Sequence, residues 1–115
     1  MPAESIAYQK ALSFARRIVY LSRHLNQEHQ DYVLSKQILR SGTSIGANIA
    51  EARYGYSRKD FVAKIYVALK ECSETLYWLE LLHMTDYLSD EEYDSLCQDC
   101  EALRRMLSAT TKSVR

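Results

Sequence analysis

Apolar residues recur along this chain at intervals of three and four, and the interval holds through four long stretches in succession. Ala7, Ala11, Phe14, Ile18, Leu21 and Leu25 line one stripe of a first helix predicted over roughly residues 5–26, because side chains three and four apart share a helix face. Lys10, Arg16, Arg17 and Arg23 lie off that stripe. The polar run Asn26-Gln27-Glu28-His29-Gln30 reads as a connector. A second helix is predicted over roughly residues 31–53, with Leu34, Ile38, Ser41, Ile45, Ile49 and Ala52 on its inner face. Gly42, Gly46 and Ala50 step by four beside that face. Each glycine gives up about 1 kcal/mol of helix propensity against alanine. A kink or a tight helix contact near Gly46 would account for that loss.

Tyr54-Gly55-Tyr56 interrupts the periodicity, and Ser57 followed by Asp60 fits a helix N-terminus. The third helix is predicted over roughly residues 57–84, with Phe61, Ile65, Ala68, Cys72, Leu76 and Leu79 as its main stripe. A second apolar set, Val67, Trp78, Leu81 and Leu82, points to another side. A helix apolar on two sides sits between two neighbours or feeds an oligomer interface. Ser89-Asp90-Glu91-Glu92 is a capping box. It opens a fourth helix over roughly residues 89–111, whose stripe is Tyr93, Leu96, Cys100, Leu103 and Leu107. Four helices of ~30 Å or more joined by short connections predict an all-α, antiparallel up-down-up-down four-helix bundle, one domain over residues 1–115.

Composition agrees with this class and narrows it. The chain has 115 residues, 47% hydrophobic and 26% charged, which is globular composition. Its 3 glycines and 1 proline exclude a turn-rich β-sandwich or barrel. No apolar run approaches the ~20 residues of a membrane span, and the first residues lack the pattern of a signal peptide. With no export signal, Cys72, Cys97 and Cys100 read as reduced thiols of a cytoplasmic protein.

The net charge of +0 hides an asymmetry. Residues 1–64 hold ten Lys or Arg against five Asp or Glu; residues 65–115 hold five against ten. In an up-down bundle the start of the first helix, the second turn and the end of the fourth helix share one end. That end carries Lys10, Arg53, Arg58, Lys59, Lys112 and Arg115, with Tyr54 and Tyr56 interleaved. Basic groups track phosphates and aromatic rings stack bases. Arg53, Tyr54, Tyr56, Arg58, Lys59 and Lys112 are therefore the candidate nucleic-acid contacts. The simpler alternative is a solvated basic surface with the tyrosines as lids. Val67, Trp78, Leu81 and Leu82, together with Gly42 and Gly46, are the candidate contacts between copies.

Other motifs point to no chemistry. Cys97-Gln98-Asp99-Cys100 is a lone C-x-x-C, half of a four-ligand zinc set, and Cys100 falls on the core stripe. Glu80-Leu81-Leu82-His83 has E-x-x-H spacing, but a di-iron bundle needs a second such motif and two further inward glutamates. Ser44, Asn48 and Glu51 on the second helix can face Lys64, Glu71 and Glu74 on the third as a polar seam, with Lys64 neutralising a carboxylate. Such a seam fixes register more readily than it catalyses. No nucleophile–base pair accompanies it, so the expectation is a non-enzyme without metal or cofactor.

The segment Ser41-Gly42-Thr43-Ser44-Ile45-Gly46-Ala47-Asn48-Ile49-Ala50-Glu51-Ala52, continued by Arg58-Lys59-Asp60-Phe61, Ala68 to Thr75 and Trp78 to Leu82, resembles the bacterial four-helix bundle family named for reading frames inside 23S rRNA intervening sequences. The resemblance covers essentially the whole chain. It implies a helical bundle assembled as a ring, commonly a homopentamer. It also implies a distant relation to the accessory variability determinant of diversity-generating retroelements, a basic pentamer that binds nucleic acid and a reverse transcriptase. The family has no established catalytic residues to transfer. The expected function is a non-enzymatic oligomer whose basic end binds RNA or DNA; the alternative is a scaffold that docks a partner protein on its apolar or acidic surface.

Overall fold

Four helices form, and local side chains satisfy the free backbone groups at most of their ends. The structure is a computed structural model that describes residues 2–114, with side-chain exposure for residues 6–113. The helices are α1 (Pro2–His29), α2 (Tyr32–Ala52), α3 (Arg58–Met84) and α4 (Asp90–Val114). Asp31 caps α2, its carboxylate accepting from the N–H groups of Val33 at 3.2 Å and Leu34 at 2.9 Å. Ser57 caps α3, accepting from the Asp60 N–H at 3.1 Å. The predicted capping box of α4 is reciprocal: Glu92 N–H donates to the Ser89 hydroxyl and Ser89 N–H to the Glu92 carboxylate, both at 3.1 Å.

The polar run at 26–30 is not a connector. α1 continues through it to His29 and stops at Gln30, whose φ of 54° turns the chain left-handed. Asp86 does the same after α3, at φ 66°, where Tyr87 N–H donates to the Leu82 carbonyl at 2.9 Å. The left-handed region costs a residue with a Cβ about 1–2 kcal/mol, and glycine returns part of that through its freer unfolded chain. Gln30 is exposed. Gln30→Gly should therefore stabilise the bundle by about 0.5–1 kcal/mol, read as a rise of a few degrees in Tm.

Each helix packs on its neighbours in sequence, α1 closes the ring against α4, and the backbones of the diagonal pairs come no closer than 8 Å between Cα atoms among the described residues. The result is an antiparallel bundle of 44 × 22 × 19 Å. Its axis is filled by Phe14, Ile18, Leu25, Ile38, Ile45, Ile49, Ile65, Leu79, Leu103 and Leu107, all buried. Buried hydroxyls find carbonyls: Ser22 donates across to the Ser35 carbonyl of α2 at 3.2 Å and Thr75 to the Glu71 carbonyl of its own helix at 2.7 Å, so they bring no unmet donor into the core.

Two expectations are corrected by this packing. Leu82, a candidate contact between copies, is 1% exposed and lies in the core of its own chain. It follows Thr75 and Leu79 at the same helical spacing, so the core stripe of α3 runs one step further than Leu79. Gly42 and Gly46, also candidates for that contact, face α1 of the same chain. The tight approach is at Gly42 rather than Gly46. A Cβ on Gly42 would lie 2.8 Å from two carbons of Ile18, whereas one on Gly46 would sit 3.5 Å from the Ala11 Cβ.

Candidate functional site

The turn between α2 and α3 is held by short local bonds. Tyr54 N–H donates to the Glu51 carbonyl and Gly55 N–H to the Ala52 carbonyl, both at 3.1 Å. Gly55 sits 3.2 Å, measured from an added Cβ, from the Asp60 side chain and the Phe61 backbone, so the turn folds closely onto the start of α3. With the backbone tied in, the side chains of the turn point outward. Tyr54 is 84% and Tyr56 101% exposed, unusual for rings that bury well elsewhere. They are not lids.

Arg53 lies over the ring of Tyr8 with its guanidinium carbon 4.8 Å from the centroid. This contact joins the end of α2 to the start of α1. Arg58 and Lys59 occupy the first turn of α3, exposed, beside the positive end of the helix. Neither they nor Arg53 forms an ion pair with a carboxylate among the described residues. Lys112 is exposed on the last turn of α4. Arg115 lies outside the described residues.

Beside the turn is a shallow groove of about 570 Å³ walled by Tyr54 and Tyr56 over Ala50, Gly55 and Ala63. Its charged residues are Glu51, Asp60 and Lys64, and Lys64 is paired with Glu51 at 2.8 Å. The cationic rim and the groove are therefore distinct in chemistry: the rim suits phosphates, the groove an apolar or cationic group.

The polar seam between α2 and α3 forms with a different cation at its centre. Among the described residues Lys64 meets Glu51 and no second carboxylate. Arg40 meets both Glu71, at 3.3 Å, and Glu74, and the Trp78 indole N–H also donates to Glu74, at 2.9 Å. Ser44 and Asn48 bond carbonyls of their own helix, Arg40 and Ser44. Arg40 was missed because its position on the outer side of α2 does not reveal which turn of α3 lies across from it.

Val67 is 39% exposed, while Trp78 and Leu81 are half-buried. The exposed apolar face of α3 instead adds Tyr66, Tyr77 and Met84 to Val67. Cys97 and Cys100 do not act as a pair. Cys100 is buried with its thiol 3.5 Å from the Cys72 carbonyl, and contact with Cys72 and burial push it above the ordinary thiol range. Burial raises Cys97 as well. His83 stacks on Tyr93 with ring centroids 4.2 Å apart and meets the Asp90 carboxylate at 2.6 Å. Among the described residues no group of three or more His, Cys, Asp or Glu is placed to hold a metal ion, and no helix is long and apolar enough to cross a membrane.

Two comparisons match this chain. The family model for the 23S rRNA-intervening sequence protein matches residues 3–109. A crystal structure of a protein of unknown function from the S23 ribosomal protein family of Bacteroides thetaiotaomicron superposes with a TM-score of 0.94 at 48% identity, covering 96% of this chain and 98% of that one. No curated protein matches the sequence significantly.

Proposed function

The chain belongs to the 23S rRNA-intervening sequence protein family, and from that premise we propose that it is a cytoplasmic, non-enzymatic homo-oligomer that binds RNA or DNA through its basic end. The observation that carries the reading is the α2–α3 turn, where Arg53, Arg58 and Lys59 stand without carboxylate partners among the described residues, around two exposed tyrosines. Charges left uncompensated attract a polyanion, and ion release on binding makes the attraction salt-dependent. An oligomer that sets several such ends side by side adds their fields, and by family resemblance the assembly is a pentamer.

The test is binding of a labelled mixed-sequence RNA as a function of salt. Arg58→Ala/Lys59→Ala should lower the slope of log affinity against log salt by roughly one to two with the helical content unchanged. Contacts made to phosphates carry little sequence preference, so scrambled RNA should bind alike. A second reading, a scaffold for a partner protein, is favoured by the apolar groove beside Tyr54 and Tyr56 with its carboxylates Glu51 and Asp60. Absence of RNA and DNA binding at about 50 mM salt, or a double variant that binds as the parent does, would decide for that second reading.

A further inference from the structure

The arginines of α1 divide into two kinds. Arg17 is compensated: it meets Asp99 at 2.6 Å and the Ser95 hydroxyl at 2.9 Å. Arg16 and Arg23 are not. Both are exposed, neither pairs with a carboxylate among the described residues, and both are drawn over the ring of Tyr20, at 5.7 and 5.9 Å from its centroid. Arg16 also donates to the Tyr20 hydroxyl at 3.4 Å, and this contact holds the phenol below its usual range. Asp99 is taken up by the ion pair with Arg17, while Glu92 accepts from the Ser89 N–H through one oxygen and keeps its charge and its second oxygen for a further donor. Two guanidinium groups are thus held near one ring with no counter-charge of their own.

The same ring walls a cleft of about 250 Å³ between α1 and α4. Leu21, Leu88 and Leu96 form its apolar floor, Arg17 and His24 line it beside Tyr20, and Glu92 lies at its edge, while Arg16 and Arg23 stand outside the lining and meet it through the Tyr20 ring. This cleft is about 18 Å along α1 from Tyr8 and the basic end, at 1.5 Å per residue, and shares no residue with that end.

We propose that the cleft is a subsite for a single unpaired nucleotide, with the base over the leucines and its phosphate between Arg16 and Arg23. The parts match the ligand. A base offers two apolar faces to an apolar floor. The cleft takes one base but not a base pair, so the nucleotide comes from single-stranded nucleic acid or from solution. Arginine forks match phosphate oxygens, and guanidinium groups already stacked on a ring lose less freedom on binding. Glu92 sets a preference, because a carboxylate accepts from the amino group that cytosine carries at its 4-position and is repelled by the carbonyl oxygen that uracil carries there.

The experiment compares fluorescein-labelled cytidine and uridine hexamers by anisotropy across a salt series, on the full chain. The cytidine hexamer should bind more tightly than the uridine hexamer. Arg16→Gln/Arg23→Gln should weaken it by about tenfold or more and reduce the salt slope by about 0.7, the value for one phosphate of a single strand. Glu92→Gln keeps the capping box and should remove the preference for cytidine, since an amide both donates and accepts. Displacement of the hexamer by free CMP would identify a free nucleotide as ligand; no displacement with hexamer binding intact would identify the strand. Equal binding of the two hexamers, or an arginine double variant that binds as the parent does, overturns the proposal. Loss of binding in Arg58→Ala/Lys59→Ala alone overturns it while leaving the basic-end reading standing, and loss in Arg16→Gln/Arg23→Gln alone does the reverse.

Discussion

Gly42→Ala should destabilise the bundle, and Gly46→Ala, one turn further along the same helix, should stabilise it. Both substitutions gain about 0.8–1 kcal/mol of helix propensity, so the difference between them isolates packing. At Gly46 the added methyl would meet Ala11 at an ordinary contact distance of 3.5 Å, and the propensity gain survives. At Gly42 it would stand 2.8 Å from two side-chain carbons of Ile18, which is fully buried and cannot swing away. Overpacking of this kind costs about 1–3 kcal/mol, and larger side chains at the same place cost more. The two alanine variants should differ by roughly 1–3 kcal/mol in denaturant unfolding. A double variant tests the cause. In Gly42→Ala/Ile18→Ala both clashing carbons are gone, so the pair should cost less than the sum of its members. Additive losses would show that the clash with Ile18 is not the source.

The same pair shows how far the sequence could be read. Helical spacing placed Gly42 and Gly46 beside the inner face of α2, and the core stripes of all four helices follow from that spacing. What spacing does not contain is the level at which a neighbouring helix passes. Ile18 stands opposite Gly42 and Ala11 opposite Gly46, and only that register makes one glycine tight and the other ordinary. Arg40 is the same case across α2 and α3: its two carboxylates are far along the chain and meet it only through register. Leu82 was displaced by an error of a different kind, a stripe ended too early at Leu79. The basic end was legible because its cations crowd into the turn and helix termini that topology brings together. The Tyr20 cluster was not. Arg16, Arg17 and Arg23 look alike in sequence, and it takes the position of Asp99 on α4 to neutralise one and leave the other two.

Charge placed on the outer face of α3 should take the assembly apart. Tyr66, Val67, Tyr77 and Met84 are 42%, 39%, 59% and 73% exposed, an apolar surface with Lys70, Ser73 and Glu80 exposed among it. The outer face of α4 is the opposite: Glu91, Asp94 and Gln98 are exposed there, and interface centres are poor in carboxylates. A second copy should therefore sit on α3 and leave the outside of α4 in water. Light scattering should give a multiple of 13.3 kDa, fivefold by family resemblance. Val67→Glu and Tyr77→Glu should each return the mass to that of one chain, because a carboxylate buried at an interface without a partner costs several kcal/mol. The separated chain should keep its helices. At Val67 the new carboxylate would lie one turn from Lys70, a spacing that supports a helix by a few tenths of a kcal/mol. Gln98→Glu on α4 should leave the mass unchanged. A parent chain that scatters as 13.3 kDa at micromolar concentration would remove the oligomer from the proposed function. A Gln98→Glu variant that dissociates while Val67→Glu does not would move the interface from α3 to α4.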